Sequence, residues 1–356
     1  MSTAEGSRTR PSRKVRAVVA ALVVIVLAGL LHAWRNTNVL TADRLCGGLV
    51  SAARADAVLP GPGRLDAEGD GLDKDLTDTV CRVGKTSVVL GSGEGELTVR
   101  VWAEQGDDLL GVDRSPELSK TSFFAGGATG GVDAYTGWAL LPEKCWATRP
   151  LIVRLNSTRG ISDRTAFAAL TTDTARAVAA GAGCGDLPEK PGKLIQPRSE
   201  AARPVSEGRV CGLDGFSVRD RVPTGTEVLE AGQKAPADLW SCKLSLEVDS
   251  PGSVRADGFM KYMASRDPRL IAAVRKAPGT TEGKALDGRP ADGVVTSPAM
   301  LLHCAEGAPL YVAYDSGLQY LEASKRHADL PPRGAYFEPF VKAAARTFGC
   351  AAPTSG

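Results

Sequence analysis

Residues 145–156 read CWATRPLIVRLN, and residues 304–315 read CAEGAPLYVAYD. In both stretches a proline stands five residues after the cysteine, and apolar residues then alternate with others along the chain. A period of two is typical of a strand buried on one face, and a proline at the first residue of a strand removes few ladder hydrogen bonds. The same strand is therefore predicted twice, once in each half of the chain.

Both stretches begin at the third member of a cysteine set. The eight cysteines form two sets of four, spaced by 35, 64 and 39 residues in the first set and by 31, 62 and 46 in the second. Similar spacing together with the repeated strand predicts one module duplicated in tandem. The two sets are Cys46, Cys81, Cys145, Cys184 and Cys211, Cys242, Cys304, Cys350.

The two predicted modules have the same order of elements. The first cysteine is followed by glycine and by an apolar-periodic stretch that ends at Pro60 or Pro223, which indicates a short helix or helical turn. The second cysteine opens a strand, and an amphipathic helix closes the module. The predicted fold class is α+β: an N-terminal transmembrane helix, then two tandem disulfide-stapled domains with helices packed on an antiparallel sheet.

Composition sets the predicted domain boundaries. A basic cytoplasmic tail occupies residues 1–16, the transmembrane helix 17–34, and the two extracytoplasmic four-cysteine domains 35–186 and 209–356. The intervening residues 187–208 contain four prolines and no apolar periodicity, which is typical of a linker.

Four cysteines allow three pairings in each module, and the spacing alone does not choose among them. We favour first-to-second and third-to-fourth pairing, because each bridge would then tie the end of a helix to a strand of the sheet that the helix covers. The favoured bridges are Cys46–Cys81, Cys145–Cys184, Cys211–Cys242 and Cys304–Cys350.

The N-terminal apolar run predicts the topology. Residues 17–34 contain no charge, and 18 residues at 1.5 Å each give roughly 27 Å, close to the thickness of a hydrocarbon core. Residues 1–16 carry five basic residues against Glu5 alone, and flanking positive charge stays in the cytoplasm. A single-pass cell-membrane protein is predicted, with its N-terminus inside and its cysteine-containing domains outside.

A cleaved signal peptide is the alternative interpretation, because residues 31–33 (Leu-His-Ala) resemble a marginal cleavage site. The length of the run and the Trp34-Arg35 pair at its end favour a retained anchor.

The tail contributes 5 − 1 = +4 to the net charge of +2, so the remaining chain carries −2. We therefore predict no nucleic-acid partner, a membrane contact through residues 17–34, and a cell-envelope protein or ligand as partner.

The cysteine pattern is similar to that of uncharacterised actinobacterial proteins, membrane-anchored or secreted, that carry four-cysteine extracytoplasmic domains. The similarity lies in the early Cys-Gly, the cysteine that opens a strand and the Pro-Leu-x-Val strand after the third cysteine. The chain departs from that pattern at Cys184 and Cys350, which end their helices rather than start them. The resemblance implies no biochemical activity.

Residues for familiar catalytic chemistry are scarce. The chain has three histidines, and one of them, His32, lies in the apolar run, so a Ser-His-Asp triad or a histidine-ligated zinc site has little material. Nucleophile-elbow, zinc-protease and phosphate-loop motifs are missing from the sequence. We predict no catalytic, cofactor-binding or metal-ligating residue.

One acidic segment, residues 66–78, is compared with a calcium loop. Asp66, Glu68 and Asp70 occupy positions 1, 3 and 5, and Gly71 occupies position 6, as in the opening of an EF-hand loop. Thr77 stands where a bidentate glutamate is required, which favours a solvated acidic loop over a calcium site.

These features predict a membrane-anchored extracytoplasmic binding or scaffolding protein with an unknown ligand. The alternative is a cell-envelope enzyme, or an enzyme-regulating subunit, that uses carboxylates for acid-base chemistry without histidine.

Overall fold

A computed structural model of the chain describes residues 13–36, 38, 41–87, 91–103, 117–199, 201–234, 236–276, 299–304 and 309–351. These residues form a mixed α+β fold with antiparallel sheets and four disulfides, so the predicted fold class is confirmed at this level.

The first half of the chain forms a seven-stranded sheet with the order β3-β4-β5-β9-β8-β7-β6, and neighbouring strands are antiparallel. A separate ribbon pairs β1 with β2. The bounds are α1 Arg13–Asn36, β1 Arg44–Leu45, β2 Val50–Ser51, α2 Ala52–Val58, β3 Arg64–Glu68, β4 Val80–Ser87, β5 Gly91–Ala103, β6 Ser122–Phe124, β7 Gly130–Val132, β8 Thr136–Leu140, β9 Leu151–Ser157 and α3 Arg164–Gly181.

The second half forms a six-stranded antiparallel sheet with the order β10-β11-β12-β13-β15-β14. The bounds are β10 Arg203–Pro204, β11 Val228–Gly232, β12 Leu239–Leu246, α4 Gly252–Asp257, β13 Met260–Ser265, α5 Pro268–Lys276, β14 Ala299–Leu302, β15 Leu310–Ser316, α6 Leu318–Arg326 and α7 Phe337–Thr347.

The repeated stretches after Cys145 and Cys304 form the inner strands β9 and β15. Each strand starts directly after its proline and is paired on both sides. Val153 and Val312 are fully buried, as the alternation predicts. Tyr311 and Ala313 are also buried although they face the other side of β15, because that side packs against the first half of the chain.

The closing helices α3 and α7 end in the same way. Gly183 and Gly349 adopt the left-handed conformation, with φ of 63° and 66°. The next residue, Cys184 or Cys350, donates its backbone N–H to a carbonyl five residues earlier, over 3.0 and 2.7 Å. Glycine is the usual residue at this position because it has no Cβ to strain the left-handed turn.

The four disulfides are those favoured from the sequence. In each half one bridge ties a turn to a strand of the sheet, β4 or β12. The other bridge ties the end of α3 or α7 to the segment that precedes β9 or β15. Bridges of this number are typical of proteins that fold in an oxidising, extracytoplasmic compartment.

The segment predicted as a linker pairs with both sheets. Ile195 exchanges two backbone hydrogen bonds with Phe123 of β6, at 2.7 and 3.0 Å. Three residues later, Arg198 donates its backbone N–H to Gly232 of β11 over 2.8 Å. Residues 187–208 therefore run from the edge of the first sheet to that of the second.

Polar contacts join the two halves around a shared hydrophobic cluster. Ser241 donates its hydroxyl to the carbonyl of Leu118 over 2.9 Å, and Lys243 forms an ion pair with Glu117. Because these donors and acceptors are wholly or partly buried, they fix how the second sheet lies against the first half.

The segments after the first cysteines differ. In the first half the segment folds into α2, which Ser51 caps by accepting a hydrogen bond from the backbone N–H of Arg54. In the second half it forms only a three-residue 3-10 turn, Arg219–Arg221. The predicted helix or helical turn is thus a helix in one half and a turn in the other.

None of the described side chains of helix α1 belongs to either hydrophobic cluster. The large apolar side chains between Val18 and Leu31 are exposed by 50% to 65%. Among the described residues, none of the helices combines the length and the hydropathy required to span a bilayer.

Candidate binding groove

An open groove of about 340 Å³ lies at one edge of the six-stranded sheet. Three stretches of chain line it, at residues 204–210, 217–222 and 226–228. Its apolar lining is almost entirely valine, and consists of Pro204, Val205, Val210, Val218, Val222 and Val228.

The turn at Cys211 positions the first wall of the groove. Cys211 has a φ of 60°, a left-handed conformation that a non-glycine residue seldom adopts, and its disulfide to Cys242 holds the turn against β12. Val205 donates its backbone N–H to Val228 over 3.0 Å, which extends β10 along β11.

Hydrogen bonds also hold the second wall, residues 217–222. Arg221 donates its backbone N–H to the carbonyl of Val218 over 2.9 Å, and the carbonyl of Arg221 accepts the hydroxyl of Tyr336. Tyr336 lies just before α7, so the wall is attached to the helix that covers the sheet.

A buried ion pair joins β10 to the turn at Cys211, next to the groove. The carboxylate of Glu230 is 4% exposed, pairs with Arg203 of β10 and accepts the backbone N–H of Cys211. A carboxylate this buried requires such partners, since an unpaired buried charge is strongly destabilising. Glu230 therefore fixes the edge strand and the cysteine turn relative to each other.

The rim of the groove is acidic. Glu207, Asp220 and Glu227 line it together with one cation, Arg219, which gives 1 − 3 = −2. Glu207 and Arg219 form an ion pair at 3.5 Å with side chains that are 88% and 79% exposed, so the pair is weak. Within the described part of the chain, the carboxylates of Asp220 and Glu227 have neither an ion pair nor a hydrogen bond.

The other buried carboxylates serve the fold. Asp173 of α3 accepts hydrogen bonds from Arg44 at 3.2 Å and from Arg176 at 2.6 Å. Asp267 caps α5 by accepting the backbone N–H of Leu270 at 2.9 Å. It also accepts the hydroxyl of Thr129 at 2.8 Å, which links the two halves.

Asp133 and Glu117 are the carboxyl groups at which burial and hydrogen bonding oppose each other most clearly. Burial raises the pKa of Asp133, although the backbone N–H groups of Tyr135 and Thr136 donate to its carboxylate at 2.6 and 2.8 Å. Burial also raises the pKa of Glu117, but hydrogen bonding and the positive charge of Lys243 outweigh it, and the net pKa is lowered. Asp133 is thus held in a turn, and Glu117 is held in an ion pair.

The acidic segment 66–78 does not gather its carboxylates around one point. Asp73 accepts the backbone N–H of Asp75 at 3.2 Å, and Asp75 accepts that of Thr77 at 3.0 Å, so both cap the local turn. The hydroxyl of Thr77, which also donates to Asp75 at 2.8 Å, and then the backbone N–H of Thr77 lower the pKa of the exposed Asp75 carboxyl. In the described part of the chain, no group of three or more histidine, cysteine, aspartate or glutamate side chains is arranged to hold a metal ion.

The sequence assigned roles only to the eight cysteines, and all of them are in disulfides rather than in a site. The groove itself was not anticipated. The available signal was the interruption of the apolar-periodic stretch after Cys211 by Gly215, Pro223 and Gly225.

Comparison with protein-family models, with curated proteins and with solved structures finds no match for this chain. Its function is therefore inferred from the groove, the disulfide-bonded body and α1 alone.

Proposed function

We propose that the protein is a membrane-anchored, extracytoplasmic binding or scaffolding protein. In this proposal α1 enters the membrane, and the two disulfide-bonded halves form a rigid body that holds a partner on the outer side.

The observation that supports binding is the open, valine-lined groove. The buried carboxylates of the molecule, by contrast, are all used in hydrogen bonds that hold the fold. In the described part of the chain, the buried carboxylates are Asp133, Asp173, Glu230 and Asp267, and every one of them accepts hydrogen bonds from a turn, a helix end or an arginine. This use of the buried carboxylates favours binding over carboxylate acid-base catalysis, which requires a pair facing a substrate.

The observation that supports anchoring is the exposed apolar surface of α1. Ten large aliphatic side chains between Val18 and Leu31 are at least half exposed and pack on neither sheet. Exposed apolar area of this extent is unfavourable in water and favourable in hydrocarbon.

Extraction of membranes with alkaline carbonate tests the anchor. The full chain should stay in the pellet, and V24R/L27R should release it, because each arginine costs about 2.5–3.5 kcal/mol at the centre of a bilayer. V24A/L27A is the matched control and should stay in the pellet. Release of the unaltered chain by carbonate would contradict anchoring.

Chemical crosslinking in intact membranes, followed by affinity purification of the full chain, tests binding. One defined partner should be recovered in amounts comparable to the bait. Recovery of the bait alone, at several crosslinker lengths, would contradict a scaffolding role.

A further inference from the structure

We propose that the groove binds a protein segment in which aliphatic side chains are flanked by lysine or arginine. The inference rests on the proposed binding function and adds the chemistry of the partner.

The valines of the groove would contact an apolar group of the ligand. Val210, Val218 and Val228 are buried, whereas Val205 and Val222 are only partly covered and offer open apolar surface. At about 340 Å³ the groove lies at the small end of ligand pockets, which range from roughly 300 to 1,000 Å³. Such a space suits one or two aliphatic side chains.

The acidic rim favours a ligand that carries positive charge beside its apolar group. Asp220 and Glu227 lie on different walls, and neither has a cationic partner in the described part of the chain. Among the described residues, the third carboxylate, Glu207, forms an ion pair only with Arg219. Because both side chains are exposed, a cation of the ligand can replace Arg219 at little cost. A ligand with cations on both sides of an apolar centre therefore complements the groove.

An extended chain fits the shape better than a compact ligand does. The groove is open and lies beside β10, the edge strand of its sheet. Pro204 in this strand has no N–H to donate, so side-chain contacts rather than a full backbone ladder would hold the segment. The acidic rim also disfavours phosphate-bearing partners such as anionic lipid headgroups or nucleic acid.

Fluorescence anisotropy with labelled peptides tests the inference on the full chain in nanodiscs of neutral lipid. The probe is Gly-Lys-Val-Val-Lys-Gly. One matched peptide has glutamate in place of both lysines, and a second has glycine in place of both valines. Binding should occur with the probe alone and should weaken as salt is raised.

Charge-removing variants assign the site. D220N/E227Q should weaken probe binding about fivefold to tenfold, as expected for two exposed charge contacts. D186N/E189Q removes the same charge from exposed positions outside the groove and should leave binding unchanged. V222S should weaken binding to a similar degree at low and high salt, because it removes apolar contact rather than charge. Unchanged disulfide maps and melting temperatures would show that all variants are folded.

Equal binding of the lysine and glutamate peptides, or full binding by D220N/E227Q, overturns the inference. If crosslinking recovers a partner while the probe does not bind, the inference fails and the proposed function stands. If the probe binds but no partner is recovered, the groove chemistry stands and the scaffolding role fails.

Discussion

The two halves of the molecule share a five-stranded scaffold, and one of the differences around it accompanies the groove. Five strands follow the same order in both, β3-β4-β5-β9-β8 and β11-β12-β13-β15-β14. Cys46 and Cys211 both adopt left-handed conformations, with φ of 52° and 60°. A tandem duplication would produce this correspondence, and the duplication itself stays a prediction.

The difference lies between the first cysteine and the first shared strand. In the first half, Lys85 stabilises the C-terminal end of α2, because its ammonium group donates to the carbonyls of Leu59 and Gly61 at 2.8 and 2.9 Å and pairs with Asp56 at 2.9 Å. In the second half the corresponding segment forms a wall of the groove. The disulfide framework fixes the sheet and leaves this segment free to become a helix or the wall of a groove.

The hydrophobic cores of the two halves also differ. Substitution of one core phenylalanine in each half tests this difference and has the largest expected effect on stability. Phe340 of α7 has ring neighbours at 4.7 to 6.3 Å, whereas Phe167 of α3 has no ring neighbour among the described residues. Phe340→Ala should lower the free energy of unfolding by about 4–5 kcal/mol and Phe167→Ala by about 3 kcal/mol. Urea denaturation of the full chain in detergent measures both, and equal costs would contradict the claim that the aromatic cluster stabilises the second half specifically.

The first bridges of the two halves should be equivalent. They close loops of 35 and 31 residues, so removing either pair (C46A/C81A or C211A/C242A) should cost about 3–4 kcal/mol in the loop-entropy model. Thermal unfolding of the two double variants is the measurement. A difference in stability above about 1 kcal/mol would show that the shared framework is not used equally.

The glycines that face the second cysteines offer a third comparison. A Cβ on Gly69 would lie 2.6 Å from the carbonyl oxygen of Val80, and one on Gly232 would lie 2.3 Å from that of Ser241. Both glycines have positive φ, so alanine at either position should cost about 2–3 kcal/mol. Loss of stability with only one of the two variants, by the same denaturation assay, would break the correspondence at this position.

The ion pair between the halves predicts a pH dependence. The lowered pKa of Glu117 means that its contribution is fully present above the ordinary glutamate pKa and is lost as the pH falls below it, through the lowered folded-state pKa. Because Glu117 is one-third exposed, the contribution should be about 1 kcal/mol. Melting temperatures between pH 3 and pH 6 should fall less steeply for E117Q than for the unaltered chain, and parallel curves would show that the pair does not stabilise the contact.

The smallest expected effect concerns the acidic segment, which the second half lacks. Since Asp73 and Asp75 cap the local backbone, millimolar calcium should produce no heat on titration and no shift in melting temperature. D73N/D75N should then respond to calcium as the unaltered chain does. Saturable heat that disappears in this variant would restore the calcium interpretation.

The sequence by itself determined the local features. A period of two after each proline predicts β9 and β15, and the positions of the cysteines favoured the pairing that the structure contains. These signals are local because they depend on residues close in the chain or on a few bridging positions.

Only the tertiary structure decided what lies between the local elements. The burial of Tyr311 and Ala313 and the pairing of Ile195 with Phe123 arise from segments far apart in the sequence. The groove is lined by residues 204–228, but distant residues hold its walls, through the bridge to Cys242 and the hydrogen bond from Tyr336. Periodicity records which face of a strand is apolar, but it does not record which distant segment covers that face or leaves it open. That choice depends on packing between distant segments, and it is why the eight cysteines predicted a scaffold and not the groove.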